Sequence, residues 1–436
     1  MNDIPPHFMR YGIHAEKKYF LSDFRDCYDG VALNGNLVAY TLGATSSFLT
    51  ALIADKPYFI DPITHAFGHH PRAISKITES GTLEIKAAIK SLGGHYGPVI
   101  TNVLESIRQL RPDDFENEGM KRDFTNSVLT FQKNIIRKGL EESGESKYIE
   151  AEAGEPCFLI APYFYLSESE PELWLQNNIE FARIAKEQED NLPIYAELLV
   201  AKNTFIDTDE REKILRNYVE LPVDGVLLWI EGFSEHDASE KALKRYKAFV
   251  DSLKNSNKKI LIMYGGYFST ILTQSGDVSV CHGPGYGEER EVTPVGGGLP
   301  LPKYYYPKLH TRLPFREVAL AIEKMGIRTQ DAYFEKVCSC QMCRNLLEGD
   351  YGKFIEFGES KIGIRRDGVA FEYATGWAKE ISTAHYIYKK KEEFEFVSSS
   401  TLEDIISDLS ESYDECKGTF DKSDSGHLNL WNKALK

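Results

Sequence analysis

Short apolar runs alternate with amphipathic stretches from about residue 30 to residue 325 of this 436-residue chain. The runs PCFLIAPYFYLS and PIYAELLVA, for example, flank the helical pattern ELWLQNNIEFARIAKEQ. Near-continuous apolar strands separated by helices of this length are typical of parallel strands that are buried on both faces. Eight such runs follow one another, the first starting at Gly30 and the last being KYYYPKLHTRLP. We therefore predict an α/β fold, a (β/α)8 TIM-type barrel, with an open doubly wound sheet as the alternative.

Composition divides the chain into three regions. Residues 1–330 contain the predicted barrel, in which residues 92–150 form a helical insertion after the second strand. A metal-binding subdomain is expected over residues 331–395, and residues 396–436 form an acidic tail with one weak helix and a frayed end. The Gly- and Pro-rich run EEREVTPVGGGLPLPK precedes the last predicted strand, at the face where active sites of such barrels lie.

The overall composition is that of a globular protein, with 42% hydrophobic and 27% charged residues. No run of about 18 apolar residues exists, and the first residues lack the apolar core of a secretory signal. We therefore expect a cytoplasmic protein that does not span a membrane. A homodimer is one of the assembly states that these patterns allow.

The net charge of −15 argues against a protein that coats nucleic acid through bulk charge. The net charge does not exclude a local basic groove. The alternative for its candidate residues is ordinary solvated surface charge. The candidates for such a groove are Lys361, Arg365, Arg366, Lys389, Lys390 and Lys391.

Three of the seven cysteines are clustered as Cys338-x-Cys340-x-x-Cys343. The first histidine downstream is His385, 42 positions after Cys343 (385 − 343). Together these residues make a Cys3His set, which is a typical structural Zn²⁺ site because four protein ligands leave no position for water. Three unrelated buried thiols are the alternative reading.

This cysteine pattern, placed after an α/β barrel and followed by a histidine, resembles the zinc subdomain of the tRNA-guanine transglycosylase superfamily. Three further stretches are similar to family segments in the same order along the chain: KPYFIDPITHAF, the segment Gly225–Glu235, and the segment Ile260–Leu272. The first match puts Asp61 on the family's catalytic aspartate. The resemblance covers roughly residues 30–395, and it implies an enzyme that cleaves an N-glycosidic bond in nucleic acid.

The chain also departs from the family pattern. Counting from Gly276, the family's nucleophilic aspartate falls on Cys281, with Asp277 four residues before it. The family's guanine-reading aspartate is missing from the run Ala161–Tyr163, and its Gly-Gly pair is replaced by Trp229-Ile230. These departures indicate a different target base.

Within the resemblance we favour a DNA glycosylase that excises a modified base and leaves an abasic site, and we place DNA ahead of tRNA. The first alternative is a transglycosylase that inserts a 7-deazaguanine into DNA or tRNA. A second is a non-catalytic barrel that binds nucleic acid, and a third is an unrelated metabolic barrel stabilised by zinc.

Breaking an N-glycosidic bond needs a carboxylate near the sugar carbon and an acid near the departing base. We expect Asp61 and Asp277 to fill these roles, against the alternatives of a cap for the next turn and a turn residue, respectively. Cys281 has packing as its alternative role. The residues expected to contact substrate are His65, Glu231, Glu235, Cys281, His282, Tyr305 and His310.

Overall fold

Eight parallel strands form a nearly closed barrel in the computed structural model of this chain. The structure describes residues 4–52, 55–144, 155–285, 287–293, 302–347, 354, 356, 360–366 and 369–436. The barrel strands are β1 (His7–Tyr11), β2 (Gly30–Asn34), β3 (Tyr58–Asp61), β4 (Leu159–Ile160), β5 (Ile194–Ala201), β6 (Gly225–Glu231), β7 (Lys259–Met263) and β8 (Val278–His282).

Strands that follow one another in the chain pair with each other, except β3 and β4, and β8 pairs with β1. The one seam lies between β3 and β4, where the amide of Cys157 donates a hydrogen bond of 2.8 Å to the carbonyl of Tyr58. The prediction of an α/β chain with eight parallel strands is therefore confirmed at the level of a nearly closed barrel.

Alternate residues of each strand point into the barrel, as the period of two requires. On β5, Tyr195 and Leu199 belong to an inner apolar cluster, whereas Ala196 and Leu198 pack outward into the main core. All eight residues of β5 are buried, which explains why this strand reads as a continuous apolar run instead of an alternating one.

Helices cover the outside of the barrel and continue beyond it. A representative one, Glu240–Asn255, begins where the Ser239 side chain accepts a hydrogen bond from the amide of Ala242 at 3.2 Å. The longer helices in the described residues are Leu42–Thr50, Pro98–Glu105, Glu118–Ser143, Leu175–Gln188, Thr208–Val219, Glu240–Asn255, Phe315–Lys324, Gly376–Ser399, Leu402–Cys416 and Lys422–Leu435. Among the described helices, none combines the length and the apolar character that crossing a lipid bilayer requires.

The structure corrects the strand assignment at both ends of the barrel. Its first strand is His7–Tyr11, which lies before the first apolar run that we counted. The run KYYYPKLHTRLP is not a barrel strand: it forms an antiparallel hairpin of Tyr304–Tyr306 with Thr311–Leu313 outside the barrel. The predicted number of eight strands is nevertheless correct, because one barrel strand was missed and one run was wrongly counted as a barrel strand.

The helical insertion is present, but it follows β3, the third strand. It starts with a hairpin of Ser75–Ile77 and Leu83–Ile85 and includes the 26-residue helix Glu118–Ser143. Residues 145–150 of the predicted insertion lie outside the described residues.

The C-terminal tail is more ordered than expected. In place of one weak helix and a frayed end, residues 402–435 form two helices that pack against each other. Trp431 is 2% exposed, and its Nε1 donates to the carbonyl of Glu235 at 3.0 Å. Contact with the loop after β6 therefore makes the tail part of the folded body.

Candidate active site and metal centre

A pocket of about 140 Å³ opens at the carboxyl ends of the barrel strands. Asp61 and His65 line it from the segment after β3, Trp229 from β6 and Tyr264 from the end of β7, while Arg290 closes it from the loop after β8. A cavity of about 150 Å³ holds a benzene molecule, so this pocket has room for about one six-membered aromatic ring.

Asp61 ends β3, and its carboxylate is held in one orientation. Its Oδ1 accepts hydrogen bonds from the Tyr163 hydroxyl at 2.7 Å and from the Ile63 amide at 2.9 Å. Ile63 has a φ of 52°, an unfavourable conformation for a β-branched residue, and the bond to Asp61 stabilises this turn. Both bonds end on Oδ1, which leaves Oδ2 for the pocket.

The surroundings of Asp61 shift its protonation in opposing directions. Burial raises the pKa of the Asp61 carboxyl above its usual range, because the charged form loses solvation. The hydrogen bonds from Tyr163 and the Ile63 amide, and the positive charges of Arg290 and Arg10, lower that pKa. The hydrogen bonds and positive charges around Asp61 thus favour its charged form, against the effect of burial.

His65 joins Asp61 through Tyr163. The Nδ1 of His65 lies 3.0 Å from the Tyr163 hydroxyl oxygen. Because that hydroxyl donates its proton to Asp61, His65 donates from Nδ1 and carries a lone pair on Nε2. Burial lowers the pKa of His65 well below its ordinary value, and the neighbouring His69 and Arg290 lower it further, so the ring is neutral.

The loop after β8 forms the roof of the pocket, and Glu231 anchors it. One oxygen of Glu231 accepts from the Val292 amide at 3.0 Å, and the other accepts from the Tyr165 hydroxyl. The Trp229 indole also donates to the carbonyl of Arg290 at 3.2 Å. Glu231 is therefore close to the pocket, as expected, but it binds the protein's own loop.

Glu197 is a candidate that the sequence analysis did not include. It occupies the middle of β5, is 1% exposed and faces the barrel interior with Tyr195 and Leu199. The sequence feature that could have identified Glu197 is its position as the one acidic residue inside the apolar run PIYAELLVA. An acid in a strand that is buried on both faces needs a structural or functional reason.

Asp277 does not join Asp61. It directly precedes β8, at the amino end of the barrel, and its Oδ1 lies 2.7 Å from the ammonium group of Lys259. Asp61 lies at the carboxyl end of β3. This corrects the assignment of Asp277 as the second catalytic carboxylate, because β8 separates it from the pocket.

Cys281 and His282, on β8, are also outside the lining of the pocket. Cys281 is completely buried in the inner cluster, in agreement with the packing alternative. The Nε2 of His282 lies 2.7 Å from the Nε2 of His7, and its Nδ1 lies 2.8 Å from the carbonyl oxygen of Gly283.

Glu235 and His310 line a second, polar cavity of about 510 Å³ on the same side of the barrel. Glu235 accepts from the amides of Gly266 and Ser269 at 3.0 and 3.2 Å, so it holds the loop after β7. Glu235 and His310 therefore lie outside the lining of the pocket that contains Asp61, and their contact with a substrate stays a prediction.

The hydroxyl of Tyr305 and the Nδ1 of His310 both lie near Oε1 of Glu393, at 2.5 and 2.6 Å. Lys390 is completely buried and pairs with Glu288 at 3.2 Å and with Glu393 at 2.8 Å. Tyr305 is therefore not a stacking face of the pocket, and Lys390 is not part of a basic groove.

Cys338, Cys340, Cys343 and His385 form a buried cluster that could bind a metal ion. The Nδ1 of His385 lies 3.9, 3.3 and 3.4 Å from the sulfur atoms of the three cysteines, in chain order. Its Nε2 lies 2.8 Å from the carbonyl oxygen of Tyr305, so Nε2 carries the proton and Nδ1 is available to a metal.

Neither models of known protein families, nor curated proteins, nor solved structures match this chain. Its function therefore has to be inferred from the site itself.

Proposed function

We propose that this protein hydrolyses the N-glycosidic bond of a modified base in DNA, releasing the base and leaving an abasic site. The observation that carries this proposal is the carboxylate of Asp61, held at Oδ1 by Tyr163 and the Ile63 amide beside a pocket that fits one ring. The resemblance to the tRNA-guanine transglycosylase superfamily supports the reaction class, since Asp61 matches the family's catalytic aspartate.

In this reaction the bond between the base nitrogen and the sugar carbon breaks, and its electron pair stays on the base. Asp61 stabilises the positive charge that develops on the sugar. Arg290 and Lys86, both at the pocket, face the negative charge on the base. Water adds to the sugar carbon and gives a proton to Nε2 of His65, from which it passes to the released base.

The pocket walls suit a base that has been turned out of the helix. Trp229 and Tyr264 both line the pocket, with ring centroids 4.9 Å apart in an edge-on arrangement, and in the proposed reaction they would contact the ring of the base. Trp229 occupies the position of the family's Gly-Gly pair, and this bulk favours a target other than guanine. The preference for DNA over tRNA follows from the DNA-directed members of the family that the chain resembles.

Excision is favoured over base exchange by what surrounds the pocket. Exchange needs a covalent sugar intermediate and space for an incoming base, whereas the pocket holds about one ring. At the position of the family's nucleophile stands Cys281, whose pKa burial raises to about 12. A thiol that is protonated and enclosed in the inner cluster is a poor nucleophile.

We assign the metal as structural Zn²⁺ and the barrel as TIM-type. A tetrahedral site with Zn–S of about 2.3 Å and Zn–N of about 2.0 Å has sulfur-to-nitrogen edges of about 3.5 Å. The distances of 3.3–3.9 Å around His385 agree with that geometry. Three thiolates and one imidazole complete the coordination, so zinc would hold the subdomain together without taking part in hydrolysis.

The experiment is incubation of the protein with base-modified phage DNA, plain DNA and tRNA, followed by mass spectrometry of the released bases. We expect free modified base and abasic sites from DNA alone, and a loss of about 100-fold or more in Asp61→Asn. The matched control is Asp277→Asn, which should keep the rate because Asp277 lies at the other end of the barrel. Release of guanine only when a free deazapurine is supplied would establish exchange, and binding without release would establish a non-catalytic barrel.

A further inference from the structure

Glu197 is a buried carboxyl group without hydrogen bonds of ordinary length. It is 1% exposed, and within the described part of the chain neither side-chain oxygen has a hydrogen-bond partner. Its neighbours on the inner face of β5, Tyr195 and Leu199, are apolar-cluster residues. Buried polar groups in folded proteins are nearly always paired, so this exception calls for an explanation.

The groups that face Glu197 come from four elements. Asp61 lies at the end of β3 and Tyr163 follows β4, while Cys281 approaches from β8 and Tyr218 from the helix Thr208–Val219. The Tyr218 hydroxyl donates to the main-chain carbonyl of Glu197 at 3.2 Å, which leaves the carboxyl group itself unpaired. None of these neighbours carries a positive charge.

An ionised carboxylate in such surroundings is strongly unfavourable. Burial raises the pKa of Glu197 well above its usual range, the negative charge of Asp61 raises it further, and the facing Tyr163 hydroxyl lowers it. Asp61 has hydrogen bonds from Tyr163 and the Ile63 amide and faces the positive charges of Arg290 and Arg10. Glu197 has no such donor within hydrogen-bond distance among the described residues, so Glu197 is the member of the pair that holds a proton.

We propose that Glu197 is the protonated half of a carboxyl pair with Asp61, and that its proton decides which of the two carboxylates receives the hydrogen bond from Tyr163. Tyr163 has a single hydroxyl proton. While Glu197 is neutral, that proton is donated to Asp61, as the 2.7 Å bond records. When Glu197 loses its proton, two carboxylates compete for one donor, and Asp61 is left with the Ile63 amide as its remaining hydrogen-bond donor.

Glu197 is therefore a positioning residue that acts through Tyr163. The protonated state of Glu197 is inferred from its surroundings alone, whereas its effect on turnover rests on the proposed function. In turnover, the activity should therefore fall at alkaline pH, when Glu197 loses its proton. This fall is set by a residue of the barrel interior and not by the substrate.

Infrared spectroscopy of the full-length protein at neutral pH tests the protonated state directly. We expect the carbonyl band of a protonated carboxylic acid, its loss in Glu197→Gln, and its persistence in the control Glu235→Gln. Glu235 is a suitable control because it is also buried but accepts from Gly266, Ser269 and the Ser269 hydroxyl. A band that survives in Glu197→Gln would overturn the proposal.

Isotope labelling gives the same answer without a substitution, in case Glu197→Gln does not fold. The acid band should shift when glutamate carboxyls carry ¹³C and should stay in place when aspartate carboxyls do. The reverse result would make Asp61 the protonated member and contradict the assignment.

The pH profile of base release then tests the effect on Asp61. We expect an alkaline limb in the wild-type protein that moves upward by about one pH unit or more, or disappears, in Glu197→Gln. An unchanged limb would exclude Glu197 as its origin. If no substrate is cleaved at all, the proposed function fails while the infrared result still stands on its own.

Discussion

At the scale of single residues, the site is organised around the hydroxyl of Tyr163. It donates to Asp61 at 2.7 Å, it lies 3.0 Å from Nδ1 of His65, and it faces Glu197. The backbone of Tyr163 is fixed as well, since its amide and carbonyl both bond to the Thr64 hydroxyl, at 2.8 and 2.7 Å. One tyrosine therefore sets the orientation of the carboxylate and the tautomer of the imidazole.

Replacing Tyr163 with Phe should weaken base release at acidic pH in particular. A hydrogen bond to a carboxylate stabilises its charged form, so its loss raises the pKa of Asp61. The activity of the ionised form is then lost at a higher pH, and the acid limb of the pH profile moves upward. We expect a loss of about 10- to 100-fold near pH 6 and a smaller loss at higher pH.

Tyr28→Phe is the matched control for that experiment. Tyr28 is also buried and its hydroxyl donates a hydrogen bond to the carbonyl of Phe20 at 2.6 Å, but it is not part of the pocket. An equal shift of the acid limb in both variants would mean that Tyr163 acts only through stability.

At the scale of elements, the metal cluster joins three pieces of chain that are separate in sequence. The cysteines lie at and before the helix Gln341–Leu347, His385 lies on the helix Gly376–Ser399, and the hairpin strand Tyr304–Tyr306 packs against the helix that carries His385. The ring of Tyr304 stacks on that of His385 at 4.2 Å, and the hydroxyls of Tyr304 and Tyr333 lie 3.4 Å from the sulfur of Cys343. These contacts form a second layer around the ligands.

Cys343→Ser should therefore lower the zinc content and the stability together. We expect about one Zn²⁺ per chain in the wild-type protein by elemental analysis, and a loss of several kcal/mol, on the order of 3–5, in the free energy of unfolding of the variant in urea. The reason is that a metal that binds only the folded chain contributes its binding free energy to folding.

Cys416→Ser serves as the comparison, because Cys416 is equally buried but lies outside the cluster. It should keep its zinc and lose far less stability. Full zinc content in Cys343→Ser would rule out the Cys3His site as the place where the metal binds.

At the scale of the whole molecule, buried neutral histidines set the response to acid. Burial lowers the pKa of His69 and of His282 to about 4 and that of His427 to about 3, in each case as the largest cause. Their ordinary value in an unfolded chain is 6.5. Below that value the unfolded chain binds protons that the folded protein does not, so stability is lost as the pH falls from about 6.5 toward 4.

We expect this loss to be about 1 kcal/mol per pH unit for each such histidine, measured by urea unfolding at about pH 7.5 and about pH 5.5. His427→Gln should reduce the difference between the two pH values by about 1 kcal/mol. Comparing the variant with the wild-type protein in the same buffers cancels the contribution of the proposed metal site, from which acid would release a bound ion in both proteins. The same pH dependence in His427→Gln as in the wild-type protein would show that His427 titrates normally.

Much of the architecture could be predicted from local patterns. The apolar runs at β2 to β8 and the helices between them were visible because buried parallel strands and amphipathic helices each have a characteristic period. The metal-binding cluster was visible because Cys338, Cys340 and Cys343 are close in sequence and share one chemistry. The short strand His7–Tyr11 was missed because HFMRY contains polar residues and lies before the alternation starts.

The composition of the pocket was decided by the tertiary structure. Asp277 and Asp61 are both next to strands, but only the strand boundaries show that they lie at opposite ends of the barrel. Glu231, Glu235 and His310 have the chemistry of ligand-binding residues, yet the folded chain supplies their partners.

By itself, then, the sequence determined the α/β class, seven of the eight parallel strands, the cluster of three cysteines and the place of Asp61 at a strand end, because each depends on residues that are near one another in the chain. The tertiary structure alone decided that Tyr163 holds Asp61, from 102 positions away, and that the carboxyl group of Glu197 is buried without a hydrogen-bond partner among the described residues. The physical reason is that hydrogen bonding and burial depend on which side chains the closed barrel brings together, and that closure is a property of all eight strands at once.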